Sequence, residues 1–316
     1  MTIEKIIIGT RGSKLALIQA EEVISELKKV SNKYSYELRI IKTHGDKFNK
    51  TPVHKLGRKG VFVKEIDKAL LEGVIDISVH SMKDLPSTIP EGIFLGAIPK
   101  RKTYKDAIYS RENKNLTDLK SGSIIGTGSF RRRSQVLYLR KDVNINNIRG
   151  NIDTRIKKVD KGEFDAIILA KVGVQRLNLK INVFELPEFI LPAAGQGALA
   201  VETRANNHNL IKLLSKINDQ KASLETLAEM AFINNMGGGC QIPIGVLGQI
   251  IEKSLHLKGE ILSLDGNQRI SASITGKPYE YKKMAEKLAN KIQKNGGFKI
   301  LNKIDEQLKR REISIE

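Results

Sequence analysis

The chain has one cysteine, no tryptophan and only 5% aromatic residues in 316 positions. One sulfur cannot close an internal disulfide, and it cannot build a thiolate metal site alone. The reducing cytosol is the compartment this predicts. Scarce aromatics leave little for the stacking platforms that hold single-stranded nucleic acid. No apolar run approaches the ~18 residues of a membrane span. The start, Met1-Thr2-Ile3-Glu4-Lys5, lacks a basic segment followed by an apolar one, so no signal peptide is expected. Also missing are a Walker loop, a GxGxxG fingerprint and any His/Cys/Asp cluster at metal-ligand spacing. Acidic residues are in the minority, 35 against 54 Lys and Arg, for a net charge of +19. That excess fits nucleic acid, an anionic surface or anionic small molecules as partners. Much of it is Lys scattered among Asn and Ile, so the placement of single basic residues carries more than the total.

What is present is first an alternation of strands and helices. Ile6-Ile7-Ile8 reads as a strand, followed by Gly9-Thr10-Arg11-Gly12-Ser13 and a helix over Lys14–Lys29 with an apolar stripe of Leu15, Ala16, Ile18, Val23, Ile24 and Leu27. Val61–Leu71 reads as a second amphipathic helix and Val74–Val79 as a buried strand. The pattern recurs with strands at Ser123–Gly126, Val143–Ile148 and Phe164–Ala170, each followed by a helix. Such alternation predicts right-handed crossovers and mostly parallel sheets. The C-terminal third differs. Leu255–Leu264 and Arg269–Ile274 flank Asp265-Gly266, a hairpin signal, and a helix over Tyr279–Gln293 stops at Gly296-Gly297. The expected fold is therefore α/β, with a C-terminal α+β domain built on a small antiparallel sheet.

Basic residues recur where strands end. Arg11, Lys83, Arg131, Arg132, Arg149 and Arg155 all lie at or just beyond a strand's carboxyl end. Ligands of open α/β sheets bind there, and helix starts add N–H donors, as do Ser13 and Ser129 in the same turns. One arginine on a helix is ordinarily a solvated charge; six in this position predict a cleft for several carboxylates or phosphates. Asp84 stands beside Lys83, either as a cap or ion-pair partner, or to hold an N–H donor and stabilise a developing cation. His80 is a general base or a hydrogen-bonded structural residue. The lone Cys240 follows three glycines in Gly237-Gly238-Gly239-Cys240-Gln241-Ile242-Pro243. It is either a small buried hydrophobe or a presented thiol.

Taken together, these blocks resemble the porphobilinogen deaminase (hydroxymethylbilane synthase) family nearly end to end. The resemblance rests on Thr10–Gln19, on Lys55–Glu65, on Val79–Pro86 and on Gly126–Arg132. It continues through Arg149-Gly150-Asn151-Ile152-Asp153-Thr154-Arg155, Leu191–Gly197 and the cysteine loop. It implies two lobes similar to periplasmic binding proteins, residues 1–99 with 198–217 and residues 100–197, and a cofactor-attachment domain over 218–316. It implies a dipyrromethane on Cys240 through a thioether, used as a primer. Four porphobilinogen molecules then add head to tail, each losing ammonia, and water releases hydroxymethylbilane. Lys83, Ser81, Ser129, Arg131, Arg132 and Arg155 are implied to hold the cofactor. Arg11, Ser13, Gln19, Lys55, Lys59, Phe62, Arg149, Arg176 and Gln196 are implied to serve the substrate and growing chain, with Phe62 stacked on a pyrrole ring. Asp84 is implied as the catalytic residue, binding pyrrole N–H groups and stabilising the cationic azafulvene left when ammonia departs. No metal is implied, and a cytoplasmic monomer without nucleic-acid or membrane partners is the family expectation.

Three positions depart from the pattern expected of the family. Met230, in Glu229-Met230-Ala231, stands where an arginine is expected; Gly128 replaces a serine and His44 an arginine. Residues 46–60, rich in Lys and Gly, read as a lid or as a plain solvated loop. Two other functions remain as contrasts. A non-catalytic two-lobed anion-binding protein would need the basic cleft but neither Cys240 nor Asp84. A nucleic-acid binder would act by net charge alone and bind with steep salt dependence.

Overall fold

The computed structural model describes residues 4–43, 63–86, 88–237 and 242–313, with side chains described up to residue 308. Two compact units divide the chain. The first comprises Met1–Tyr104, Val172–Lys180 and Gly195–Thr226; the second comprises Lys105–Lys171, Ile181–Ala194 and Leu227–Glu316.

The first unit is built on β1 (Glu4–Thr10), α1 (Lys14–Val30), β2 (Tyr34–Ile40), α2 (Lys64–Leu71), β3 (Ile77–Ser81), β4 (Ile93–Ala97) and β10 (Leu199–Arg204). The sheet order is β2-β1-β3-β10-β4. The crossover-linked strands β2, β1 and β3 pair in parallel as the alternation predicts, while β10 runs antiparallel to both β3 and β4. Helix α1 starts where Ser13 accepts the Ala16 N–H, and it turns Ala16, Ala20, Val23 and Leu27 onto the sheet. These residues meet Ile6, Ile8, Ile77, Val79 and Val201 in one core. Among described residues α2 begins at Lys64, with Val61 and Phe62 outside them. The strand expected over Val74–Val79 begins later, at Ile77, and reaches Ser81. The cause is the helix end. Gly73 adopts φ +74°, and the Val74 N–H turns back to the Ala69 carbonyl instead of joining a ladder.

The second unit holds two sheets with separate cores. In one, β5 (Asp106–Ser110), β6 (Ile124–Gly126), β7 (Asn144–Asn146), β8 (Ala166–Ala170) and β9 (Phe184–Glu185) take the order β7-β6-β8-β5-β9. Helix α3 (Phe130–Leu139) follows β6, and α4 (Ile152–Asp160) follows β7. Again three strands are parallel, and an inserted fourth, β5, is antiparallel to its neighbours. The other sheet is the antiparallel meander β11 (Ile244–Ile251), β12 (Ser254–Leu262) and β13 (Arg269–Gly276). Its β12–β13 turn holds Asp265 and Gly266, with Gly266 at φ +67°. Helix α5 (Lys171–Arg176), from its second residue on, and α6 (His208–Leu214) belong to the first unit, and α7 (Gln220–Asn235) begins in a first-unit segment and ends in a second-unit one. Phe232 of α7 is fully buried against Gly259, where a Cβ would lie 2.5 Å from its ring. Helix α8 (Tyr281–Ile292) ends as expected before the glycine pair. Gly296 at φ +110° then starts a further helix, α9 (Phe298–Ile313), that the apolar pattern had not revealed.

Candidate active site

In the first unit the register places several expected residues at one sheet edge. Gly9 lies opposite Ser78 in the parallel pair, and Leu199 opposite Ser81 in the antiparallel one. The ends of β1 and β3 and the start of β10 are therefore together. Arg11, Ser13, Gln19, His80, Ser81 and Asp84 line a single recess there. Buried Gln19 donates from Nε2 to Ser81 Oγ at 2.7 Å, which fixes the end of β3. A short turn, Met82–Asp84, follows and carries half-buried Lys83 and exposed Asp84. Two expected residues lie elsewhere in the unit. Arg176 is buried, with Nε 3.1 Å from Glu22 Oε2 and Nη2 donating to the Gly197 carbonyl. Burial lowers its pKa, partly offset by Glu22. Gln196 is buried too, donating from Nε2 to the Tyr104 carbonyl at 2.7 Å.

Behind that recess lies a group for which the sequence spacing held no signal. Asp67, His80 and Glu202 bring their ligand-type atoms within 4.8 Å of one another, a grouping in space that sequence spacing does not test. These positions come from α2, β3 and β10, too far apart in sequence for any motif. Ser78 Oγ donates to Glu202 Oε2 at 3.1 Å, and His80 Nε2 stands 3.5 Å from the same oxygen. Burial pushes Glu202 up to about 7, helped by the Asp67 charge. Burial, then Glu65, raises Asp67 to about 6. Burial, then the Arg11 charge, lowers His80 to about 4. At neutral pH the imidazole is therefore uncharged and cannot pair with Glu202 as a cation.

In the second unit, Ser129 caps α3 by accepting the Arg132 N–H. The next residues use their guanidinium groups internally. Arg131 Nη1 lies 2.8 Å from Asp106 Oδ2 and donates to the Leu191 carbonyl (2.7 Å) and to Gln135 Oε1 (3.0 Å). Arg132 donates from Nε and Nη2 to Asp106 Oδ1 at 3.1 and 2.7 Å, and from Nη1 to the Ile168 carbonyl. One buried carboxylate thus serves two buried guanidiniums. Among the described residues, the nearby Arg149 and Arg155 have no carboxylate partner. Arg155 donates from Nε only to the Gly150 carbonyl. Its pKa is pushed down to about 10 by burial and then by the charges of Arg132 and Arg149. Burial lowers Arg149 as well, and its Nε is buried without a hydrogen-bond partner among the described residues. Four guanidiniums, Arg131, Arg132, Arg149 and Arg155, with one shared acid leave a positive surplus, the chemistry expected of a polycarboxylate site.

Cys240, Lys55, Lys59, Phe62, His44 and the 46–60 loop all fall outside the described residues. The cysteine loop is flanked by α7 and β11, where Phe232, Met236 and Ile244 are buried in one core. Of the two described departures, Met230 packs against that core. At Gly128 a Cβ would stand 3.1 Å from Asn147 Oδ1 and 3.3 Å from the Ile148 carbonyl, so a serine there would require its neighbours to give way. Residues that sequence reading missed are the acids Asp67, Asp106, Glu202 and Glu260, and Gln135, which donates to Glu260.

Comparison with known proteins bears on this arrangement. Residues 6–212 match the family model described as "Porphobilinogen deaminase, dipyromethane cofactor binding domain", and residues 223–294 match "Porphobilinogen deaminase, C-terminal domain". The porphobilinogen deaminase of Syntrophomonas wolfei is 43% identical over 296 residues, 93% of this chain and 97% of that one. Those of Clostridioides difficile and Bacillus subtilis are 42% and 41% identical, over 92% and 95% of this chain and 97% of each relative. A solved structure of an ancestral cationic amino acid solute binding protein superposes with a TM-score of 0.43 at 14% identity, over 67% of this chain and 86% of that one. That likeness is too slight to bear on the argument.

Proposed function

The chain belongs to the porphobilinogen deaminase family, and from that premise we propose how its residues divide the work. The protein is a transferase. It condenses four porphobilinogen molecules head to tail with loss of ammonia, and hydrolysis releases hydroxymethylbilane. Dipyrromethane is its cofactor, and it supplies the primer on which the chain grows. The non-catalytic anion-binding alternative is set aside by the family match.

Arg132, Arg149 and Arg155 bind carboxylates of the cofactor and growing chain. The observation that carries this is their positive surplus, with Arg149 Nε buried and without a hydrogen-bond partner among the described residues. Each added pyrrole brings an acetate and a propionate, so such a chain needs cations in excess of local acids. Arg131 contributes through the same cluster, with Ser129 at the helix start. In the first unit, Arg11, Ser13, Gln19, Ser81 and Lys83 bind further polar groups of cofactor and substrate. Asp84 is exposed in that recess, free to accept pyrrole N–H groups and to stabilise positive charge as ammonia leaves. Arg176 and Gln196 serve the elongating chain, and Lys55, Lys59 and Phe62 the incoming substrate. Cys240 anchors the cofactor, since sulfur is a soft nucleophile suited to the electrophilic methylene carbon of an azafulvene. The separate cores of the second unit support counting residues 218–316 as an attachment domain beside lobes at 1–99 with 198–217 and 100–197. The protein acts in the cytoplasm as a monomer and needs no nucleic acid or membrane partner. No helix among the described residues is long and apolar enough to cross a membrane.

The test is intact mass and turnover together. Purified protein should exceed its sequence mass by two pyrrole units, and Cys240→Ser should not. Asp84→Ala should keep the added mass yet lose nearly all ammonia release. A Cys240→Ser protein that retains the adduct, or an Asp84→Ala enzyme at normal rate, would overturn the assignment.

A further inference from the structure

A buried polar chain in the second unit runs from the antiparallel sheet to the arginine helix. Glu260 of β12 is wholly buried. Its Oε2 accepts from Arg269 of β13, through Nε at 2.7 Å and Nη2 at 2.6 Å. Its Oε1 accepts from Gln135 Nε2 at 2.6 Å. Gln135 is buried on α3, one turn beyond Arg131, and its Oε1 accepts from Arg131 Nη1 at 3.0 Å. The Leu191 carbonyl accepts from both, at 2.7 Å from Arg131 and 2.9 Å from Gln135. Asp106 then joins Arg131 to Arg132.

A second observation places the strand after the cysteine loop on the same chain. Gly245 of β11 lies five residues beyond Cys240. A Cβ on it would stand 2.7 Å from Leu191 Cβ, 3.0 Å from Gln135 Nε2 and 3.1 Å from Glu260 Oε1. Only glycine lets that strand lie so close. The adjoining backbone is held as well, since the Val246 N–H bonds the Pro192 carbonyl at 3.0 Å.

We propose that Glu260, acting through Gln135, is a positioning residue that sets the Arg131–Arg132 pair in register with the strand leading out of the cysteine loop. The chemistry requires it. A cofactor tethered near one end of that strand and held by guanidiniums on α3 has two anchor points on different elements. Their separation must stay constant for the reacting carbon to stay in place, and misplacement by about 1 Å can cost about 100-fold in rate. Glu260 is an acceptor matched to a side-chain amide that has one donor face toward it and one acceptor face toward Arg131. That polarity fixes the orientation of the Gln135 amide, and with it which Arg131 nitrogen is held back from the ligand. Glu260 touches no reacting atom; its effect passes through Gln135.

The inference rests on the proposed role of Arg131 and Arg132, and the experiment separates the two. Holoenzyme is compared with Glu260→Gln, Gln135→Leu and Arg131→Gln, measuring KM and kcat per molecule carrying the two-pyrrole mass, alongside thermal midpoint. Glu260→Gln and Gln135→Leu should each lower kcat about tenfold, with KM for porphobilinogen changed less than about twofold. A lowered midpoint with kcat per holo molecule intact would reduce Glu260 to a purely structural group and overturn the proposal. If Arg131→Gln lowers kcat while the other two do not, the arginine assignment survives and the positioning role falls. If none of the three moves kcat, the arginine assignment fails and takes the proposal with it.

Discussion

Glu202→Gln should make the first unit more stable at alkaline pH, and the size follows from where the carboxyl sits. Glu202 is buried on β10, facing Asp67 and His80, and its pKa stands at about 7 instead of 4.5. A carboxyl whose folded pKa is raised favours folding while protonated. Its contribution is complete below 4.5 and is lost as pH rises from 4.5 to 7. Above that window the ionised folded state carries a penalty of about 3 kcal/mol. Glutamine is neutral throughout and has nearly the same shape, so it never incurs the penalty. Asp67 pushes the same way, because removing the Glu202 charge eases its own ionisation. Near pH 5 the variant and the parent should be close in stability. At pH 8 the variant should be ahead by about 3 kcal/mol. Because the chain has two units, the probe must be local. Urea-dependent hydrogen exchange at the amides of residues 79–81 and 199–201, paired across β3 and β10, reads this site directly. A stability difference that does not change between pH 5 and pH 8 would refute the reasoning.

Two further changes test the second unit. Asp106→Asn leaves Arg131 and Arg132 buried without their shared carboxylate, and removing one partner of such a group typically costs about 3–5 kcal/mol; urea denaturation at wild-type midpoint would contradict the pairing. Phe232→Ala opens a cavity beneath Gly259 in the C-terminal core and should cost about 3–5 kcal/mol, read as a lower thermal midpoint. Because Phe232 lies on the helix before the cysteine loop, the same variant should also take up its cofactor mass more slowly, and an unchanged uptake rate would show that this core does not support the loop.

Local pattern carried the frame of the molecule. The α1 stripe and the Asp265-Gly266 turn depend on residues within a few positions of one another, and both are legible, whereas Ser13 and Ser129, read as donors in their turns, also accept as helix caps. The inserted strands were not. In β10 the run Leu199-Ala200-Val201-Glu202-Thr203 is buried on both faces, so it lacks alternation, and its antiparallel partners come from the distant β3 and β4. The acids are harder still. Glu260 sits in a strand, where a charged letter reads as solvent-facing, yet it is wholly buried because its partner Gln135 lies 125 residues away. Asp106 meets Arg132 over 26 residues and Glu202 meets Ser78 over 124. No spacing rule reaches such distances.

That gap decides how the basic residues should be read. Position at a strand end drew six of them together as equals, but position alone does not separate a guanidinium that holds the fold from one that holds a ligand. The distinguishing quantity is the acid within reach. Asp106 takes up much of the hydrogen-bonding capacity of Arg131 and Arg132, whereas Arg149 and Arg155 have no carboxylate partner among the described residues. Charge neutralisation of Arg149 should therefore weaken carboxylate binding without unfolding the unit, while the same change at Arg132 should do both. Arg149→Gln and Arg132→Gln, compared for thermal midpoint and for retention of the two-pyrrole mass, check this directly. Equal loss of stability in the two would show that the acids, and not the ligand, set the demand for both arginines.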